Sequence, residues 1–386
     1  MRILFTFAGG NGHFEPLIPI ARAAEAAGHV VAFTGRPWMI PTVEAAGFPA
    51  FASGSDVGGT PKRVPPRAYD PGREDRGLRE GFARRIARER ARDIFPLCVE
   101  WQPDLLVCEE LDFGAVVVAE RFGLPHAAVL VIAAGSFVRH ALVAEPLNEL
   151  RAEYGLPPDP ELAMLSRSLV FSPFPPSYRD PAFPLPATAH ALRLPALEST
   201  NVETGSAWPA PPAGVPTVYF TLGTVFNVEC GDLFARVLKG LRDLPINLVV
   251  TVGRHFDPEE LGPQPNNVHI ERYIPQSQIL PRCDAVVSHG GSGSVLGALA
   301  HGLPMVLLPM GADQPLNAAR CQALGLARVL DPMVATPDSV REAVSAVLED
   351  PAYRRAAERL RDESAALPGP EYAVTLLERL AAEKQP

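Results

Sequence analysis

Short apolar runs closed by glycine, each followed by an amphipathic stretch, constrain this chain more than any other feature, and the pattern occurs twice. "RILFTF" from Arg2 leads into "EPLIPIARAAEAAG", "HVVAFTG", "DLLVCEE" (104–110), "GAVVVAERFG" and "HAAVLVIA". It restarts with "TVYFTLGT", "INLVVTVG", "VHIERYI", "AVVSHGG", "MVLLPM" and "ARVLDP", and a tail from Asp338 reads as helices. Short apolar runs separated by helix-length segments predict parallel strands covered on both faces. Between about residues 136 and 216 the regularity fails and prolines crowd, in "SPFPPSYRDPAFPLP" and "SAWPAPPAGVP"; the second stretch reads as a stiff linker. The expectation is an α/β chain of two Rossmann-like, doubly wound domains, 1–205 and 216–386, joined by a Pro-rich linker at 206–215. The two would face each other across a cleft, with a helical C-terminal tail whose last helix packs back on the first domain. Ligands of such sheets sit beyond the carboxyl ends of the strands, and clefts between domains are favoured sites.

Composition excludes several classes. With 47% hydrophobic and 20% charged residues, the 386-residue chain can bury a large core. The net charge of -9 argues against a nucleic-acid binder, which would carry a basic stripe. The arginine-rich stretch 77–95, "GLREGFARRIARERARDIF", reads either as a basic groove or, the favoured reading, as a solvated helix face whose Glu80, Glu89 and Asp93 offset the arginines. Five cysteines without C-x-x-C spacing read as reduced thiols, not a disulfide frame or a zinc site. No signal-peptide pattern and no apolar run of ~18 residues is present, so a cytoplasmic protein without a membrane span is expected.

Two glycine loops carry the chemistry. In "AVVSHGGSGSVLGALAHG" a strand ends, glycines turn the chain and a helix starts near Ser292. Unpaired backbone N–H groups and the positive helix end then converge, which suits a diphosphate, and His289 and Ser294 can add hydrogen bonds. Alone this unit is unspecific. The wider block "YIPQ", "SHGGSGS", "HGLPMVLLP" and "DQPLNA", in that order and spacing, resembles the nucleotide-sugar signature of the family 1 glycosyltransferases, inverting enzymes of the GT-B fold. The actinobacterial natural-product type is the nearest in character, and the resemblance runs over the whole chain. It implies that Tyr273 stacks on the nucleobase, Ile274 meets the base edge through its backbone and Gln276 lies beside the ribose. His289, Gly291, Ser292, Gly293 and Ser294 would hold the diphosphate, with Thr224 as a further contact to the leaving phosphate. Asp313 and Gln314 would bind sugar hydroxyls, with Asn317 behind them.

The first loop, "FAGGNGHFEP", is the glycine-rich loop in which that family places its base, here His13, directly after Gly12. Histidine suits the role because its unperturbed pKa lies near neutrality. A carboxylate should orient the ring, as in hydrolase triads. Aligning "V-x-D-x-x-x-F-G-A" on "VCEELDFGA" puts Glu109 at the family's aspartate, with Glu110 and Asp112 close enough to compete and Asp112 the second choice. The resemblance implies one inverting displacement without metal or cofactor, the co-substrate being a nucleoside-diphosphate sugar; the chain has no D-x-D motif. One departure bears on the donor. Many relatives using UDP-sugars have a ribose-gripping glutamate where this chain has Gly297, which favours dTDP-sugars, whose deoxyribose lacks the 2′-hydroxyl.

The acceptor is expected to be a small hydrophobic natural product bound by the first domain, walled by segments 53–71 and 136–184. There Phe137, His140, Phe171, Phe174 and Tyr178 either stack on an aglycone or belong to the core. A monomer or homodimer is expected. A dehydrogenase fits poorly, because Gly10-x-Gly12-x-x-Glu15 is not G-x-G-x-x-G and no acid ends "VVAFTG". A sugar-nucleotide epimerase, a cell-wall GlcNAc transferase and a catalytically silent glycosyltransferase-like auxiliary protein remain as alternatives.

Overall fold

The computed structural model describes residues 1–56, 64–194, 214–224, 226–254 and 256–383; most of the expected linker, 206–213, lies outside them. The chain forms two compact units, one of residues Met1–Gly58, Pro71–Leu197 and Ala366–Pro386, the other of Gly59–Asp70 and Glu198–Ala365.

The first unit is built on a seven-stranded sheet. Its strands are β1 (Arg2–Thr6), β2 (Val30–Gly35), β3 (Ala50–Ala52), β4 (Leu105–Glu109), β5 (His126–Val129), β6 (Leu169–Ser172) and β7 (Ala189–Ala191). The order is β3-β2-β1-β4-β5-β6-β7 and every pairing is parallel. Alternation along β1 explains the continuous apolar run: Ile3 and Phe5 pack on one face, with Leu17 and Ile20, while Leu4 packs on the other with Ala91 and Val117. The helix Pro370–Glu383 contributes Ala373, Val374, Leu377 and Ala381 to the first of these cores.

The second unit repeats the design with β8 (Thr217–Thr221), β9 (Asn247–Thr251), β10 (Val268–Glu271), β11 (Ala285–Ser288), β12 (Met305–Leu307) and β13 (Ala327–Val329). Their order is β10-β9-β8-β11-β12-β13, again all parallel. In both sheets the winding direction reverses between two central neighbours, β1 and β4 in one, β8 and β11 in the other. The loops leaving such neighbours diverge and open a crevice at the carboxyl edge.

The arginine-rich stretch is a helix with an ion-pair ladder rather than a basic groove. It runs as α-helix over Pro71–Arg76, π-helix over Gly77–Ile86 and α-helix over Ala87–Trp101. Arg79 pairs with Glu145, Arg84 with Glu145 and Glu149, and Arg88 with Glu149 and Glu153, all on the helix His140–Glu153. Arg90 differs, being fully buried. Its Nη2 donates to Asp112 Oδ2 at 2.6 Å and to the Thr34 carbonyl at 3.0 Å, and its Nη1 binds Ser53. One side chain thereby ties together the ends of β2, β3 and β4.

Removing one partner of a buried ion pair strands the other charge, at about 3–5 kcal/mol, whereas an exposed pair contributes roughly 0–1 kcal/mol. Arg90→Met should therefore lower the urea midpoint severely, while Arg84→Ala should barely move it. Equal effects of the two variants would contradict the assignment of Arg90 as the anchor.

Candidate functional site

In the first unit the carboxyl ends of β1 and β4 bring two polar side chains together. After β1 the chain turns through Gly9 and Gly10 into a single helical turn, Asn11–Phe14. Phe14 anchors that turn: it is buried, with its ring 5.3 Å from Phe7 and 5.2 Å from Phe33. The preceding residue, His13, lies over Gly9, where a Cβ would come within 2.1 Å of the imidazole. His13 Nδ1 stands 2.9 Å from Glu109 Oε1; the His13 side chain is 22% exposed and that of Glu109 is fully buried. Glu109, the last residue of β4, is itself held in place, accepting from the Leu111 N–H (2.7 Å) on Oε1 and the Ala8 N–H (3.2 Å) on Oε2. A reachable imidazole backed by a fixed, buried carboxylate is an arrangement suited to taking up a proton.

The other acids of the loop do different things. Asp112, the second choice to stand behind His13, is corrected: it is the partner of Arg90 and accepts from the Ala115 N–H (3.4 Å) at the start of the helix Phe113–Phe122. Glu110 points away from His13's partner, its Oε2 accepting from the Val131 (2.9 Å) and Ile132 (3.0 Å) N–H groups after β5. Burial pushes the Glu110 carboxyl up to about 7, against the opposing pull of those two N–H groups and of Arg179.

Two further side chains at this edge carried no sequence signal. Phe82, from the π-helical segment, lies with its ring 6.0 Å from that of His13 and nearly parallel, at 15°. Arg90, read as one arginine of a solvated run, is the buried anchor described above.

In the second unit the matching position, between β8 and β11, holds His289. Its ring fills the space beside two glycines: a Cβ on Gly223 or Gly291 would approach it to 2.6 Å. Burial lowers its pKa to about 4, so it is a neutral imidazole at physiological pH, and its Nδ1 is buried without a protein partner. Gly291 precedes the helix Ser292–Ala300, whose first turn has no side-chain cap, so its N–H groups stay available for an anion. Gly293 is exposed, Ser294 lies at the same helix start, and Thr224 is exposed on the loop after β8. Ser292 Oγ lies 2.6 Å from Asp313 Oδ2, and Asn317 Nδ2 donates to that same oxygen at 2.8 Å and to the Gly290 carbonyl at 3.1 Å. Ser292, expected at the diphosphate, and Asp313, expected at the sugar, are thus joined in one hydrogen-bonded group through Asn317. Gln314 departs from the expectation of a sugar-facing side chain: it is buried and its Oε1 accepts from the Met310 (2.8 Å) and Gly311 (3.2 Å) N–H groups, holding the loop before it. Tyr273 is half-buried with the Arg254 guanidinium 5.2 Å from its ring centroid, and Ile274 is buried. Gln276 occupies the space over Gly297, where a Cβ would sit 2.6 Å from its Oε1.

The expected acceptor aromatics divide. Phe171 and Tyr178 are fully buried and Phe174 nearly so; Phe171 lies within β6 in the sheet core. Their rings pack protein, so of the two readings left open for them the structure favours core over acceptor wall. Phe137 packs partly on the core, and His140 is exposed at the start of the helix His140–Glu153, its ring toward the Pro160 carbonyl. All five cysteines are buried free thiols. Among the described residues no cluster of metal-ligating side chains occurs, and no helix is long and apolar enough to cross a membrane.

Comparison with known proteins adds to this geometry. Residues 235–380 match the family described as Erythromycin biosynthesis protein CIII-like, C-terminal domain. Over 99% of its length the chain is 30% identical to 98% of the 10-deoxymethynolide desosaminyltransferase of Streptomyces venezuelae. It is similar to the crystal structure of the glycosyltransferase SnogD from Streptomyces nogalater (TM-score 0.79, 26% identity, 99% of each chain). A glycosyltransferase of Streptomyces sp. SF2575 complexed with thymidine diphosphate is likewise similar (TM-score 0.76, 27% identity, 98% of this chain and 99% of that one).

Glu110 gives a pH signature. Its folded pKa is raised from 4.5 to about 7, so the native chain keeps a proton that the unfolded chain releases, and stability falls as pH rises through that window. Glu110→Gln removes this contribution. Its melting temperature relative to the parent should rise between about pH 5 and about pH 8; a constant difference would show that Glu110 titrates as an ordinary carboxyl.

Proposed function

Because the chain belongs to the family 1, GT-B glycosyltransferases of actinobacterial natural-product biosynthesis, we propose that it transfers a sugar, with inversion, from a dTDP-sugar to a hydroxyl of a small hydrophobic natural product. The observation that carries the mechanism is the 2.9 Å contact of His13 with buried Glu109. With Nδ1 facing the carboxylate, Nε2 is the atom that takes the acceptor proton. As the O–H bond breaks, the acceptor oxygen bonds to C1 of the sugar and the bond from C1 to the diphosphate oxygen breaks. Glu109 stabilises the imidazolium that forms, and no metal is needed for this sequence of proton and bond changes.

The second unit holds the donor. Tyr273, Ile274 and Gln276 take the nucleoside, and Thr224, His289, Gly291, Ser292, Gly293 and Ser294 take the diphosphate. The buried, neutral His289 donates a ring N–H without adding a cation, and the uncapped Ser292 helix start supplies backbone N–H groups. Donors fixed before charge develops need no reorganisation during the reaction. Asp313 binds sugar hydroxyls, and Gln314 shapes the loop that presents it. Phe137 and His140 are the remaining aromatic candidates for the acceptor.

The dTDP preference rests on Gly297 and Gln276. A glutamate at 297 could reach a ribose only by displacing Gln276, whose Oε1 already occupies the space. A missing charge-assisted hydrogen bond of about 1.5–3 kcal/mol is no loss to a donor without a 2′-hydroxyl. The relative bound to thymidine diphosphate agrees with this reading.

Assaying dTDP- and UDP-glucose against macrocyclic and aromatic acceptors by mass spectrometry tests both parts. His13→Ala should lower turnover by roughly 10²–10⁴-fold while calorimetry shows dTDP binding retained. Full turnover without His13 would refute its role as base. UDP-glucose outcompeting dTDP-glucose would refute the donor assignment, and Gly297→Glu should move the preference toward UDP.

A further inference from the structure

The π-helical segment Gly77–Ile86 has no role in the proton and bond changes above, and one of its side chains reaches the base. The segment is continuous with α-helix on either side. Its hydrogen bonding is visible at Phe82 itself, whose carbonyl accepts from the Ala87 N–H, five residues on. Such wide turns are rare and occur often at functional sites. Arg79, Arg84 and Arg88 are fixed by the acids of the helix His140–Glu153, and Leu78 and Ala83 are fixed in the core. From between these anchored neighbours Phe82 places its ring 6.0 Å from the His13 ring, 15° from parallel.

We propose that Phe82 is a positioning residue for the general base: its ring, together with the bare Gly9 backbone, holds the His13 imidazole in the orientation that keeps Nδ1 on Glu109 and presents Nε2 to the acceptor. The three restraints come from different parts of the unit. Gly9 follows β1 and can approach only because it has no Cβ; Glu109 ends β4; Phe82 comes from the long helix. Without Phe82 one of these restraints on the imidazole is removed, while the carboxylate stays fixed by the Leu111 and Ala8 N–H groups. Misplacing a catalytic group by about an ångström can cost on the order of 10²-fold in rate. This inference rests on His13 being the base.

The test uses the full chain with Phe82→Leu, Phe82→Ala and Phe82→Tyr, dTDP-glucose and the acceptor found in the panel above. Phe82→Leu keeps an apolar side chain on the core and guards against simple misfolding, checked by thermal melting. Loss of positioning predicts a kcat at least about tenfold lower for Phe82→Leu and Phe82→Ala, acceptor KM changed by less than about twofold, and recovery in Phe82→Tyr. A second readout needs no acceptor. In protein labelled with ¹³C and ¹⁵N at histidine, the His13 ring resonances, assigned by their absence in His13→Ala, should shift in Phe82→Leu and return in Phe82→Tyr. Unchanged His13 resonances, or a raised acceptor KM at constant kcat, would overturn the proposal, the latter making Phe82 an acceptor contact. If His13→Ala itself retains turnover, the base assignment fails first; if only the Phe82 variants retain it, the base stands and the positioning role falls.

Discussion

Parallel strands cannot be joined by tight hairpins, so every strand of these two sheets must be reached through a crossover. A strand order that winds outward from the centre in both directions then has a single place where neighbouring loops part. In the first unit that place lies between β1 and β4, and in the second between β8 and β11. His13 with Glu109, and His289 with Gly223, stand at those two positions. The same topology presents two histidines in different environments. One histidine is reachable and backed by a carboxylate; the other is buried among glycines and kept neutral.

What surrounds the first histidine shows how a site is made rigid on loops. Phe14 pins the turn that carries it through an aromatic cluster with Phe7 and Phe33. Glu109 is fixed by main-chain donors, and the loop beyond it is tied by Asp112 to Arg90 and so to the ends of β2 and β3. The ion pair gives little net energy beyond the cost of burying it. Its value here is location, since it joins three strand ends at the edge where the polar groups gather.

Much of this was legible in the sequence because it depends on local pattern. A strand followed by a glycine loop and a histidine, a strand followed by glycines and a helix, and the block from Tyr273 to Asn317 all carry their signal within a few turns of chain. Glu109 was separable from Asp112 only weakly, since three acids lie within four positions and their choice is decided by Arg90, a residue near none of them in sequence. Phe82 was invisible for a related reason. Its position depends on a π-helical register, and the surrounding charges mark the segment as an ordinary solvated helix. Phe171 and Tyr178 went the other way: in a proline-rich stretch the pattern cannot distinguish an aromatic that faces a ligand from one that fills the core, and burial assigns both to packing. The role of Gln314, as a clamp on the Met310 and Gly311 backbone, likewise depends on a loop conformation that no spacing encodes.

The helix Pro370–Glu383 completes the core of the first unit, with His29 against Glu378 (3.1 Å) and the Arg193 N–H donating to the Pro368 carbonyl (2.8 Å). The unit that begins the chain is therefore finished by the residues that end it. On the ribosome the second unit can complete its sheet while the first still waits for its last helix. Anyone exchanging halves between related enzymes to recombine their substrates faces the same constraint: a single cut between the two sheets would marry one protein's sheet to another's closing helix, so the segment from Ala366 should travel with the rest of the first unit.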